Sequence, residues 1–91
     1  MFCLIECLAA AGRKAGLTGD MADQLATATV VGAAELARVS PDSAEELRRQ
    51  VTSPGGTTAA ALEVLMGDGG LEDLMVRAVD AAAKKSRELA G

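Results

Sequence analysis

The 91-residue chain contains no histidine, no tryptophan and no tyrosine, and its only aromatic residue is Phe2. Without histidine or tyrosine it lacks the commonest general acid/base, the commonest metal ligand and the usual phenolic proton donor. Self-contained acid/base catalysis is therefore not expected. Aromatic rings for base stacking are missing, and the net charge is −4, so no basic surface for phosphates is built either. Nucleic acid is excluded as a partner, and the same acidic balance speaks against a membrane-surface helix. The opening apolar stretch reaches Glu6 within five residues, carries no basic flank, and is far shorter than the roughly 20 residues needed to span a bilayer. No signal peptide or membrane span is expected. The two cysteines, Cys3 and Cys7, stand four apart on one helical face, a spacing that no disulfide framework uses. That points to a reducing, cytoplasmic compartment. Two thiols without histidine or further cysteine leave a tetrahedral metal's coordination sphere half empty, so buried packing is the expectation for both and no metal site is assigned.

What the chain does have is small aliphatic residues: 49% of it is hydrophobic, which at this size means one domain of closely packed helices. Phe2, Ile5, Leu8, Ala9 and Gly12 recur at helical spacing, and Gly16 is placed to stop that helix. No capping residue precedes Phe2, so the chain is expected to begin inside a helix whose upstream part is absent. Thr18 and Asp20 open a second helix running to about Val39, with no charge between Leu25 and Ala34. An apolar circumference has to be covered on every side. Four short helices of one chain scarcely enclose it, so burial against a second subunit is favoured over a central helix in a monomeric bundle.

Ser40-Pro41 reads as the start of a third helix with Ala44, Leu47 and Val51 as its apolar stripe. The run Ala59 to Met66 reads as a fourth. Past Gly67-Asp68-Gly69-Gly70, the stripe Leu71, Leu74, Met75, Ala78, Val79 and Ala82 continues as a fifth helix to Leu89. Asp73 with Arg77 and Asp80 with Lys84 have ion-pair spacing on its solvated face. No strand pattern occurs. The expected fold is all-α, a bundle of about five helices, intertwined as a homodimer.

Polar groups, glycines and a helix start coincide only at Thr52-Ser53-Pro54-Gly55-Gly56-Thr57-Thr58. First-turn N–H groups lack intrahelical acceptors, the helix dipole is positive there, and glycines let a ligand reach the backbone. Hydroxyls on Ser53, Thr57 and Thr58 add donors without charge. The turn suits a carboxylate or phosphate, although a plain turn with a helix cap has the same composition. No lysine follows the glycines as in a phosphate-binding P-loop, and no strand precedes them as in a dinucleotide fingerprint.

The segment Leu47-Arg48-Arg49-Gln50-Val51-Thr52-Ser53-Pro54-Gly55-Gly56-Thr57-Thr58-Ala59-Ala60-Ala61-Leu62 resembles the signature of the pyrroline-5-carboxylate reductase family. The likeness extends through Ala11-Gly12, Ala15-Gly16-Leu17, Gly32-Ala33-Ala34 and Ser86-Arg87-Glu88-Leu89, so that residues 1–91 resemble the family's C-terminal helical dimerisation domain. Leu71 departs from it, standing where relatives often carry an aromatic residue. The resemblance implies an enzyme that reduces 1-pyrroline-5-carboxylate to L-proline with NADPH or NADH, in the last step of proline biosynthesis. It also implies an N-terminal Rossmann domain for the nucleotide, which 1–91 does not contain, so the fragment alone is expected to bind no cofactor and to be inactive. Carried over by position, the imino-acid site falls on Ser53, Gly55, Gly56, Thr57 and Thr58. Their turn would hold the substrate carboxylate, with the Thr58 hydroxyl as the catalytic group near the imine nitrogen. The partners so implied are a second copy, or a larger homo-oligomer, and a small imino acid. The alternative is a non-catalytic helical dimerisation or assembly module. An upstream strand, Gly-x-Gly-x-x-Gly and helix would distinguish the two.

Overall fold

A computed structural model describes all residues, Met1–Gly91, as five helices without strands: α1 (Phe2–Lys14), α2 (Gly19–Val39), α3 (Ala44–Gln50), α4 (Thr57–Leu65) and α5 (Leu71–Ala90). None is long and apolar enough to cross a membrane. Packing divides the chain into two units, Met1–Leu47 and Arg48–Gly91.

In the first unit, α1 and α2 form a hairpin around three alanines. Ala9, Ala22 and Ala26 are 2–3% exposed, and half-buried Ile5 packs against them. Small residues set how closely the helices approach. A Cβ added at Gly12 would stand 3.2 Å from Leu17 Cδ1 and 3.5 Å from Ala22 Cβ. The connection is short because Gly16 takes a φ of +111°, a left-handed conformation that costs glycine nothing. Thr18 then caps α2, its Oγ1 accepting from Met21 N at 3.3 Å, with Asp20 in the first turn where the dipole favours an acid. Across the hairpin, Arg13 Nη2 reaches Asp23 Oδ1 at 2.5 Å. Farther along α2, Arg38 donates twice to Glu35, at 2.6 and 3.1 Å, and holds that carboxyl below its ordinary range.

The uncharged stretch of α2 is not covered by its own chain. Leu25, Val31 and Leu36 are 46%, 60% and 50% exposed, and a Cβ at Gly32 would meet nothing within 4 Å. Twenty large apolar side chains are exposed in all, and no large side chain is fully buried. Burial of that kind is far too small to offset the ordering of 91 residues.

Several expectations need correction. The third helix does not start at Ser40-Pro41. Ser40 ends α2, its N–H bonding Leu36 O, and its Oγ accepts from Asp42 N at 3.1 Å in a tight local turn. The cap of α3 is Ser43, whose Oγ accepts from Glu46 N at 3.1 Å, the serine half of a capping box. Val51 lies past the end of α3 and is exposed, because Thr52 folds back to close the helix, its Oγ1 donating to Arg48 O at 2.5 Å. Cys3 and Cys7 are exposed rather than packed, since the α1 face turned to α2 is that of Ile5, Ala9 and Gly12. On α5 the expected pair Asp73–Arg77 forms at 3.3 Å, but the second ion pair is Lys85–Glu88 at 3.9 Å rather than Asp80–Lys84.

Candidate functional site

The turn at 52–58 lies wholly within the second unit, between the closed end of α3 and the start of α4. Its shape follows from its sequence. Pro54 and Gly55 are the central residues of a reverse turn that Gly56 N closes by donating to Ser53 O at 2.9 Å. Gly55 has φ +73°, as the third residue of a type II turn requires, and proline at the second position supplies the fixed φ that precedes it. Gly56 is tight as well: a Cβ there would stand 3.1 Å from Ser53 O.

Gly56 is also the N-cap of α4, in extended conformation, and no side chain caps this helix. Its carbonyl accepts from Ala60 N at 3.1 Å, which leaves the amides of Thr57, Thr58 and Ala59 as the unpaired donors of the first turn. These amides look out along the positive end of the helix dipole past a residue with no side chain. Thr57 is exposed and Thr58 half-buried at the second helical position, so Thr58 is not the helix cap. Ser53 and Gly55 are exposed and Gly56 is half-buried. The structure therefore gathers all five residues singled out from the sequence into one turn of backbone. No ionisable side chain belongs to the segment. Its available chemistry is hydrogen-bond donation from amides and hydroxyls, which suits a carboxylate and provides no strong base.

A pronounced cleft in this unit lies elsewhere. About 760 Å³ in volume, it is lined by Leu62, Leu65, Met66, Leu71, Met75 and Val76, with Arg48, Asp68, Glu72 and Asp73 around it, and includes no residue of the turn. The signal for it in the sequence is the pair of apolar runs on either side of Gly67–Gly70. The bend between them needs glycine, because a Cβ at Gly70 would come within 2.3 Å of Leu65 O. A smaller groove of about 350 Å³ in the first unit is lined by Leu8, Leu17, Leu25 and the small residues of the α1–α2 hairpin.

Comparison with known proteins identifies the family of the fold. A family model described as pyrroline-5-carboxylate reductase dimerisation matches residues 1–89. Over 89 residues the chain is 47% identical to pyrroline-5-carboxylate reductase of Pisum sativum and 43% identical to that of Pseudomonas aeruginosa, in each case across 98% of this chain and 32% of the relative. It thus spans about a third of the curated relatives it matches. Among solved structures, Plasmodium falciparum pyrroline carboxylate reductase with NADP bound is similar at a TM-score of 0.92 and 31% identity, over 99% of this chain and 34% of the other. The corresponding values for the Coxiella burnetii reductase are 0.90, 42%, 97% and 32%. The chain belongs to the pyrroline-5-carboxylate reductase dimerisation family.

Proposed function

We propose that this chain is the dimerisation and substrate-positioning part of an enzyme that reduces 1-pyrroline-5-carboxylate to L-proline with NADPH or NADH. The observation that carries the reading is the start of α4, where a glycine cap leaves the amides of Thr57, Thr58 and Ala59 open to an anion. The imino acid's carboxylate sits against these amides, with the hydroxyls of Ser53 and Thr57 as further donors. Thr58 Oγ1, which makes no hydrogen bond within the chain, faces the imine nitrogen and donates or relays a proton there. These groups bind and orient; they do not carry hydride. The five helices contain no strand leading into Gly-x-Gly-x-x-Gly, so residues 1–91 do not fit a nicotinamide dinucleotide, which would be held by another part of the protein.

Assembly belongs to the same reading. A second copy covers the uncharged face of α2, as supported by the exposure of Leu25, Val31 and Leu36 and by the family's dimerisation. Its compartment is the reducing cytoplasm, supported by the two free, exposed thiols. The net charge of −4 supports the absence of nucleic acid or a membrane surface among its partners.

A direct test uses a chimera in which this chain replaces the matching third of the Pseudomonas aeruginosa reductase. Adding L-proline, the product, to the isotopically labelled chimera should shift the amide resonances of Thr57, Thr58 and Ala59 more than those of the α5 backbone. Saturable product binding that leaves these three amides unmoved overturns the assignment.

A further inference from the structure

We infer that α5 is a further contact surface for another copy of this chain, pairing antiparallel with its own counterpart so that the basic half of each helix lies along the acidic, cleft-forming half of the other. The inference rests on the assembly proposed above and adds to it a second face with a defined direction.

No residue of α5 is buried, and all but Ala83 are exposed. Leu71, Met75, Val79, Ala82 and Leu89 follow one another at helical spacing and make a single apolar stripe along its length of roughly 30 Å. At its first turns the stripe joins Leu62 and Leu65 of α4 in the cleft of about 760 Å³. A stripe of that length left open to water is a surface for a partner.

Charge selects the partner and its direction. Residues 71–80 hold three acids and one base, Glu72, Asp73, Asp80 and Arg77, whereas 81–90 hold three bases and one acid, Lys84, Lys85, Arg87 and Glu88. Asp73 pairs with Arg77 and Lys85 with Glu88 within the helix, which leaves Glu72, Asp80, Lys84 and Arg87 without an ion pair in their own chain. Side by side in parallel, two such helices bring like ends together. Antiparallel, each acidic end meets a basic one and the helix dipoles oppose as well. The cleft repeats the pattern, with Asp68, Glu72 and Asp73 around it against the single base Arg48. The basic half of α5 opens with Ala81, Ala82 and Ala83, small enough to seat closely, whereas the uncharged stretch of α2 offers these acids no partner. Glu72 and Arg87 lie about 60° apart around the helix, on one edge of the stripe. Pairing about an axis near Val79 therefore sets Glu72 of one copy beside the basic end of the other, twice, and leaves the two Glu72 residues about 20 Å from each other.

The test uses the 91-residue chain with Cys3→Ser and Cys7→Ser, carrying one new substitution, either Glu72→Cys or Arg87→Cys. The two variants are unfolded together, refolded and treated with a short bismaleimide; denaturing gels read covalent dimers, light scattering reads mass, and circular dichroism reads helicity. The expected result is a dimer mass throughout, with covalent dimer in the mixture and none in either variant alone. The α5 pairing is overturned, with assembly through α2 left standing, by a dimer that crosslinks no better mixed than separate, or by Glu72→Cys crosslinking to its own counterpart as parallel helices require. A monomeric mass with native helicity overturns both.

Discussion

Replacing Gly32 by leucine separates what α2 does within its own chain from what it does against a second copy. Within the chain there is nothing to disturb: a Cβ at Gly32 has open space for 4 Å around it. Glycine in a helix interior is about 0.8–1.0 kcal/mol worse than alanine, and leucine is close to alanine. The folded protomer should therefore become more stable by up to about 1 kcal/mol. If α2 packs closely on its counterpart, the same side chain enters a contact built for a bare backbone, and overpacking costs about 1–3 kcal/mol. At 1.4 kcal/mol per decade, that weakens the dimer by roughly 5- to 150-fold. Sedimentation equilibrium or light scattering at micromolar concentration, with circular dichroism for helicity, reads both effects. Gly32→Leu should show a raised dissociation constant, with native helicity kept at concentrations where the dimer still forms. Undiminished association, or a native chain that is monomeric with full helicity, would refute burial of this face by a second copy.

Other consequences are as specific. Gly55→Ala forces a side chain into φ +73°, and should cost about 1–2 kcal/mol in thermal unfolding. Ser43→Ala should cost about 1 kcal/mol through loss of the α3 cap, detectable as a lowered midpoint in urea, and an unchanged midpoint would return the helix start to Ser40. The 91-residue chain alone should not oxidise NADPH in the presence of pyrroline-5-carboxylate, whereas the chimera should; absorbance at the NADPH band distinguishes the two.

The sequence discloses α1, α2 and α5 nearly to the residue because each combines helical periodicity with a clear start or stop, such as Gly16 with its positive φ, whereas α4 starts at Thr57, two residues before the apolar run that announces it. The start of α3 is less legible. Ser40-Pro41 and Ser43 both carry capping chemistry, and the choice depends on Ser40 Oγ engaging Asp42 N, a local bond that competes with helix formation. The environment of Cys3 and Cys7 is hidden for another reason. Apolar spacing shows that a helix has a face to bury, but not which side of α1 the alanines of α2 will occupy. At the candidate site, Pro54-Gly55-Gly56 discloses a turn and an anion-suited helix start directly. That Gly56 rather than a hydroxyl is the cap, leaving Thr58 inside α4, becomes clear only from the backbone.

The most direct test of the site is the kinetics of Thr58→Ala and Thr58→Ser in the chimera, measured together with their unfolding. Thr58 is not the cap of α4 and its hydroxyl makes no hydrogen bond within the chain, so neither substitution should lower stability. Alanine, which favours helix more than threonine, should raise it slightly if anything. A hydrogen bond to a charged group contributes about 1.5–3 kcal/mol, so Thr58→Ala should reduce kcat/KM by roughly 10- to 100-fold while Thr58→Ser keeps most of the activity. Wild-type kinetics in Thr58→Ala, in a chimera that turns over pyrroline-5-carboxylate, would contradict a role for this hydroxyl at the imine.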